Sequence, residues 1–262
     1  MKAIILAAGE GSRLRPYTNH KPKCMVEVGG KSILDWQVTK MNDIGINDIS
    51  VITGYKNELV KAEGIKKYVN TKWDVTNMVF TLWCAENEIV DEVIISYGDI
   101  IFTKSVLKNI YESENDISVV VDKAWRTQWE MRFDDPLSDA ETLIFDDKNR
   151  ILNIGQKPKT YDEVQAQYIG LMKFKGNGIQ RLKESYKNAV KMARKCNKPW
   201  GLDKDIRNVY MTDLLQGMID EGIEVHCVPI DAGWFEIDSA NDYLLVNDLL
   251  KSGTSDDALL LG

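Results

Sequence analysis

The stretch LAAGEGSRLRPYTNHKPK, Leu6 to Lys23, begins as the end of a buried strand and closes as a cluster of cations. From Lys2 to Ala8 the chain is apolar apart from its first residue, and it breaks at Gly9, the pattern of a central parallel strand covered on both faces. Arg13, Arg15, Lys21 and Lys23 follow closely, in a chain of formal net charge −7. Four such neighbouring charges repel one another, so either water dissipates the repulsion on an exposed loop or an anion sits among them.

Outward from this strand, the periodicity alternates between helix and strand. Leu34, Val38 and Met41 recur at helical spacing after Ser32, Gly45 offers a left-handed stop, and DISVITG supplies a second strand. A helix over roughly 75–88, the strand DEVIISYGD, a helix after Thr103 and the strand DISVVVD continue the pattern. This predicts an α/β fold with a doubly wound, mostly parallel, Rossmann-like sheet. Between 123 and 175 the segments ETLIFDD, RILNIG and AQYIGLMKF lack long helices between them, so a small antiparallel insertion or sheet extension covering a cleft is expected there. Helices near 178–194 and 212–221, the strand EVHCVPI, the segment WFEID and a helix capped by Ser239 with Asp242 three residues on complete one domain over 1–252. Residues 253–262 read as a flexible tail.

Composition narrows the classes. With 262 residues, 44% hydrophobic and 28% charged, the chain suits one large soluble domain. Its acidic balance argues against a broad nucleic-acid face, and no run approaches the roughly 20 apolar residues of a membrane span. Cys24, Cys84, Cys196 and Cys227 form no metal-spaced pair, which fits a reducing cytoplasm. His20 lies in the cation loop and His226 in an apolar strand, and both read as structural.

Two phosphate-binding fingerprints fail on the opening loop. A dinucleotide motif needs Gly or Ala where Leu14 stands, and a Walker A loop ending at GGKS needs Gly where Met25 stands. What remains, L-A-A-G-x-G-x-R followed by P-K, resembles the opening of the nucleotidyltransferase family that activates sugar phosphates, phosphocholine and related head groups. Small residues at Ala7, Ala8 and Gly9 let a base and ribose lie against the backbone. Gly11 and the following turn offer N–H groups, and Arg13 and Lys23 the charge that a triphosphate of about −4 calls for. The nucleotide-binding candidates are therefore Leu6, Ala7, Ala8, Gly9, Glu10, Gly11 and Ser12, with Asn77 and Gly98 added by the resemblance.

Asp99 follows the apolar run VIISYGD, and Asp238 stands in WFEIDS before the capped helix. A carboxylate left unpaired there would be costly, and at strand ends over a ligand crevice the natural counter-charge is Mg2+ bridging phosphate oxygens. Gly98-Asp99 and the E-I-D-S at 236–239 also match the places where the family holds its metal.

The acceptor is read from a third patch. Sugar-activating relatives usually carry Glu-Lys-Pro where this chain has Gln156-Lys157-Pro158, so Lys157 keeps the expected acceptor-phosphate role while the sugar-holding carboxylate is missing. The runs TNMVFTLWCA, VVVDKAWRTQWEMRFDDPLSDAET and YMTDLLQ are similar to the phosphocholine, phosphonate and phosphoglutamine cytidylyltransferase branch. That resemblance implies CTP, a small anionic acceptor and head-group activation in the cytoplasm, without nucleic acid or membrane, and leaves a homodimer open. Trp125 and Trp129 could face an ammonium, and Arg126 and Arg132 could grip a carboxylate or phosphonate; alternatively the tryptophans seal the insertion and the arginines pair with Asp134 or Asp135. Tyr168 and Trp234 are acceptor-side candidates by resemblance. The expected chemistry is in-line attack on the α-phosphorus of CTP, with Arg13, Lys23, Lys157 and Mg2+ neutralising charge. The alternatives are a sugar-1-phosphate enzyme using UTP or dTTP and a non-catalytic nucleotide sensor.

Overall fold

The computed structural model describes residues 1–61, 63–196 and 198–252. Its strands are β1 (Lys2–Ala7), β2 (Glu27–Val28), β3 (Lys31–Ser32), β4 (Asp48–Thr53), β5 (Lys66–Val69), β6 (Glu92–Tyr97), β7 (Ile100–Phe102), β8 (Ile117–Asp122), β9 (Leu143–Phe145), β10 (Ile151–Ile154), β11 (Gln167–Lys175), β12 (His226–Ile230) and β13 (Trp234–Glu236). The helices are α1 (Ile33–Asn42), α2 (Met78–Trp83), α3 (Lys104–Glu112), α4 (Trp125–Arg132), α5 (Asn177–Cys196), α6 (Met211–Asp220) and α7 (Ala240–Ser252).

The apolar run at the amino terminus forms β1, which pairs in parallel with β4 on one side and β6 on the other. Successive side chains of β1 point to opposite faces. Ala3, Ile5 and Ala7 join Leu34 and Met41 of α1 and Val106, Leu107 and Ile110 of α3. Ile4 and Leu6 join Val79 and Leu82 of α2, Leu182 of α5 and Leu214 of α6. Burial at about 1.5–3 kcal/mol per large apolar side chain drives both layers onto the sheet.

Sheet order is β12-β8-β11-β6-β1-β4-β5, an α/β architecture with a mostly parallel sheet. Its exception is β11, which runs antiparallel between β6 and β8. The segment expected as an antiparallel cover over 123–175 is thus split. Only β9 and β10 form a separate antiparallel pair, whereas β11 fills the middle of the main sheet. The segment also contains α4, where no helix was read. Trp125 and Trp129 stand four residues apart on one helical face and are buried against the core, which is what holds that helix to the sheet.

Local capping follows the sequence signals. Ser32 Oγ accepts from the Asp35 amide at 3.0 Å to start α1, and Gly45 adopts φ +84° after its end. At α7 the Asp242 carboxylate accepts from the amides of Ser239 (2.7 Å) and Asp238 (3.1 Å). The tail read over 253–262 lies outside the described residues. No helix among them is long and apolar enough to cross a membrane.

Candidate active site

The carboxyl ends of β1 and β6 open into a cleft whose wall includes Leu6, Ala7, Ala8, Gly9, Gly98 and Asp99. Open α/β sheets bind ligands in this position. Backbone packing explains the small residues. The Gly98 amide donates to Leu6 O at 2.8 Å, and a Cβ on Gly98 would come within 2.6 Å of that same carbonyl. Gly11 has φ +67°, and a side chain there would press on Lys23, its nearest atom 3.0 Å away. The loop glycine therefore makes room for the lysine.

Lys23 is the buried member of the cation cluster. Its Nζ donates to Asp99 Oδ2 at 2.8 Å and to Asp238 Oδ1 at 2.6 Å. Burial pulls the ammonium pKa down, but the facing Asp99, Asp238 and Glu236 outweigh it and the net shift is upward. For Asp238 burial favours the neutral acid, yet Lys23, Arg13 and Arg132 together hold its carboxyl below the usual range. Asp99 and Asp238 meet because β13 pairs antiparallel with β7 and the Ile237 amide donates to Asp99 O at 2.9 Å.

Of the other loop cations, Arg13 and Arg15 are exposed and Lys21 is half-buried. Arg13 reaches Asp238, Arg15 pairs with Glu10, and Lys21 lies 3.5 Å from Glu27. Ser12 opens the short turn Ser12–Leu14 behind Gly11. Asn77 lines the cleft and caps α2, its Oδ1 accepting from the Met78 amide at 2.9 Å.

A divalent cation can be tested against one atom. Asp99 Oδ1 is buried with no hydrogen-bond partner, while Oδ2 takes the lysine. An orphaned carboxylate oxygen beside a second carboxylate is a donor set that suits a hard cation such as Mg2+. Among the described residues no group of three or more His, Cys, Asp or Glu could hold a metal alone. The fit is therefore to an ion held by two carboxylates, with ligand oxygens and water completing its shell, as Mg2+ accepts.

A second pocket adjoins the first, with Met78 lining both. Tyr168, Trp129 and Trp234 from the sequence reading line it. Trp125 is buried behind them, its ring 5.8 Å from that of Trp129. Arg126 is on the surface, bonded to Glu130 at 2.6 Å and lying over the Tyr161 ring. Arg132, expected either to grip the acceptor or to pair with Asp134 or Asp135, has other partners: its guanidinium bonds Glu236 at 2.8 Å and Asp242 at 2.9 Å. Through Asp242, which also holds the Asp238 amide, Arg132 supports the backbone that carries the Asp238 carboxylate. Lys157 lies outside both pocket walls, its ammonium donating to the carbonyls of Leu137 and Ser138, each at 2.6 Å.

Sequence reasoning missed Trp73, Thr76 and Thr81 in the first pocket and Tyr97, Glu141 and Glu236 in the second. Glu236 carried a usable signal, since two residues before Asp238 on an extended segment put both side chains on one face. Burial, with Asp99 and Asp238 nearby, lifts its carboxyl to about 7 despite Arg132. Glu141 carried none. It is likewise lifted to about 7 by burial and by Asp213 and Asp139. Cys24, at the cleft, has a thiol pushed up to about 12 by burial and is no nucleophile.

This cleft, with its glycine loop, paired carboxylates and buried lysine, is that of a nucleotide-transferring α/β domain, and the sequence model of the MobA-like NTP transferase domain matches residues 3–152. The chain belongs to that family and is a nucleotidyltransferase. It is 39% identical to a CTP:phosphoglutamine cytidylyltransferase of Campylobacter jejuni, across 92% of this chain and 97% of the relative. It is 25% identical to a choline-phosphate cytidylyltransferase of Streptococcus pneumoniae, across 96% and 99%. Among solved structures, the CTP:phosphocholine cytidylyltransferase of Streptococcus pneumoniae superposes with a TM-score of 0.69 at 22% identity, covering 95% of this chain and 98% of that one, a likeness of fold.

Proposed function

We propose that this chain transfers a cytidylyl group from CTP to a small phosphorylated or phosphonate head group, releasing pyrophosphate and forming a CDP-linked product. The observation that carries the reading is the convergence of Lys23, Asp99 and Asp238 at the mouth of the small-residue cleft. The near full-length likeness to a relative named for CTP supports the nucleotide.

In this reading the base and ribose lie along Ala7, Ala8 and Gly9, with Trp73 and Asn77 as the far wall. The loop amides after Gly9, with Arg13, bind the phosphates. Lys23 faces the α-phosphate and stabilises the charge that grows there during transfer. Mg2+, held by Asp99 and Asp238, supplies further neutralisation of phosphate charge when bound. The acceptor enters from the second pocket with its own oxygen as nucleophile, already anionic at neutral pH, so no side chain need remove a proton. Lys157 is assigned to the acceptor phosphate; its support is the family patch and its place on the 137–138 turn next to Asp139, which lines the acceptor-side pocket.

The test is a pyrophosphate-release screen of CTP, UTP, dTTP and ATP against phosphocholine, aminoethylphosphonate, phosphoglutamine and glucose 1-phosphate. Release with CTP and a head group supports the reading. Release confined to UTP or dTTP with the sugar phosphate replaces it with sugar activation.

A further inference from the structure

Asn70 follows β5 and is wholly buried, behind the wall of the nucleotide cleft rather than in it. One backbone group settles which way its amide points. The Lys72 N–H donates to it at 2.9 Å, so the atom met there is the acceptor Oδ1, and the other atom is the donor Nδ2. Nδ2 gives its two protons to two threonine hydroxyls, Thr76 Oγ1 at 2.9 Å and Thr81 Oγ1 at 3.0 Å. Both threonines line the cleft.

Each hydroxyl has one proton of its own, and a carbonyl takes it. Thr76 donates to Lys72 O at 2.7 Å and Thr81 to Asn77 O at 3.1 Å. A hydroxyl that has given its proton and filled one lone pair keeps a single lone pair for anything else. Towards a ligand, both threonines are therefore acceptors and not donors. An acceptor suits the exocyclic amine of cytosine and opposes the carbonyl that uracil carries in its place. Discrimination of this kind is strong because the wrong base leaves buried polar groups unpaired.

We infer that Asn70, without touching the nucleotide, is a positioning residue for base choice: by holding Thr76 and Thr81 as acceptors it makes the cleft prefer an aminopyrimidine to an oxopyrimidine. The inference rests on the proposed placement of the base in this cleft, and its own content is which residue sets the hydrogen-bond pattern and how.

The experiment is calorimetric binding of CTP and of UTP to the full chain with Mg2+ and no acceptor, so it does not depend on turnover. The parent is expected to bind CTP more tightly by about tenfold or more. Asn70→Leu keeps the bulk and removes the amide, which frees the hydroxyls to turn a proton towards the uracil oxygen. The CTP-to-UTP preference should then fall by about fivefold or more, with UTP bound more tightly than by the parent. A role in folding alone would weaken both nucleotides together and leave their ratio unchanged. Thr76→Val and Thr81→Val combined in one chain remove the acceptors and should erase the preference as well, and this variant decides where Asn70→Leu does not fold. Equal or absent binding of the two nucleotides by the parent, or a ratio that survives in the deciding variant, overturns the inference. Absence of pyrophosphate release from CTP with every head group would instead defeat the transfer reading while leaving the binding ratio as predicted.

Discussion

Lys23 Nζ stands 2.8 Å from Asp99 Oδ2 in a position where the same ammonium also holds Asp238. Lys23 is 11% exposed at its side chain, so removing it leaves two carboxylates facing each other with little water between them. Breaking a buried pair in this way costs about 3–5 kcal/mol. Lys23→Ala should show that loss in urea melts, together with a fall in turnover of about a hundredfold or more. Millimolar Mg2+ should recover part of the stability, because a divalent ion takes over the counter-charge. A melt unaffected by Mg2+ would contradict the account.

Arg132 supports the site from behind. Its side chain is 1% exposed and joins Glu236 to Asp242, whose carboxylate holds the amides of Asp238 and Ser239. Arg132→Met is expected to lower stability by about 3 kcal/mol or more and to raise the Mg2+ concentration needed for half-maximal rate. Loss of stability without any change in Mg2+ demand would reduce Arg132 to packing alone.

Gly170 tests the bulge in β11. Its φ of +82° and the 2.5 Å approach to Tyr97 leave no room for a methyl group. Gly170→Ala should destabilise by about 1–3 kcal/mol, measured by urea titration, and should weaken acceptor use more than CTP binding.

The raised carboxyl of Glu141 sets a pH dependence. Its folded value of about 7 lies above the ordinary 4.5, so the folded chain binds the extra proton between those values. Stability from this group is fully present below pH 4.5 and is lost as pH rises towards 7. Asp139, Asp213 and Lys204 are the charged groups acting on it, with Thr212 as its hydrogen-bond neighbour. Glu141→Gln removes the ionisation, so its melting temperature relative to the parent should rise between pH 5 and pH 8. A difference that stays flat with pH would show that Glu141 ionises normally.

The parallel half of the fold was readable because buried parallel strands write themselves as near-continuous apolar runs, as in Lys2–Ala7, which is parallel to both its neighbours. The direction of β11 was not. Its sequence, QYIGLMKFK, carries the same buried pattern whichever way it runs, and only the path of the preceding chain decides. The carboxylates Asp99 and Asp238 stood out because each closes an apolar run, while Glu141 follows a polar turn and resembles any surface acid. The tryptophans at 125 and 129 misled in part. Their spacing matches a helical face, and that face packs the helix onto the sheet, leaving Trp129 alone of the two in the pocket wall.

The most direct measurement is Mn2+ binding, followed by electron paramagnetic resonance as the ion is titrated into the protein with CTP. The account predicts a nucleotide-dependent bound signal in the parent chain that weakens by about tenfold or more in Asp99→Asn and in Asp238→Asn, with CTP still bound. Undiminished Mn2+ binding in both variants would contradict the claim that these two carboxylates bring metal and nucleotide together.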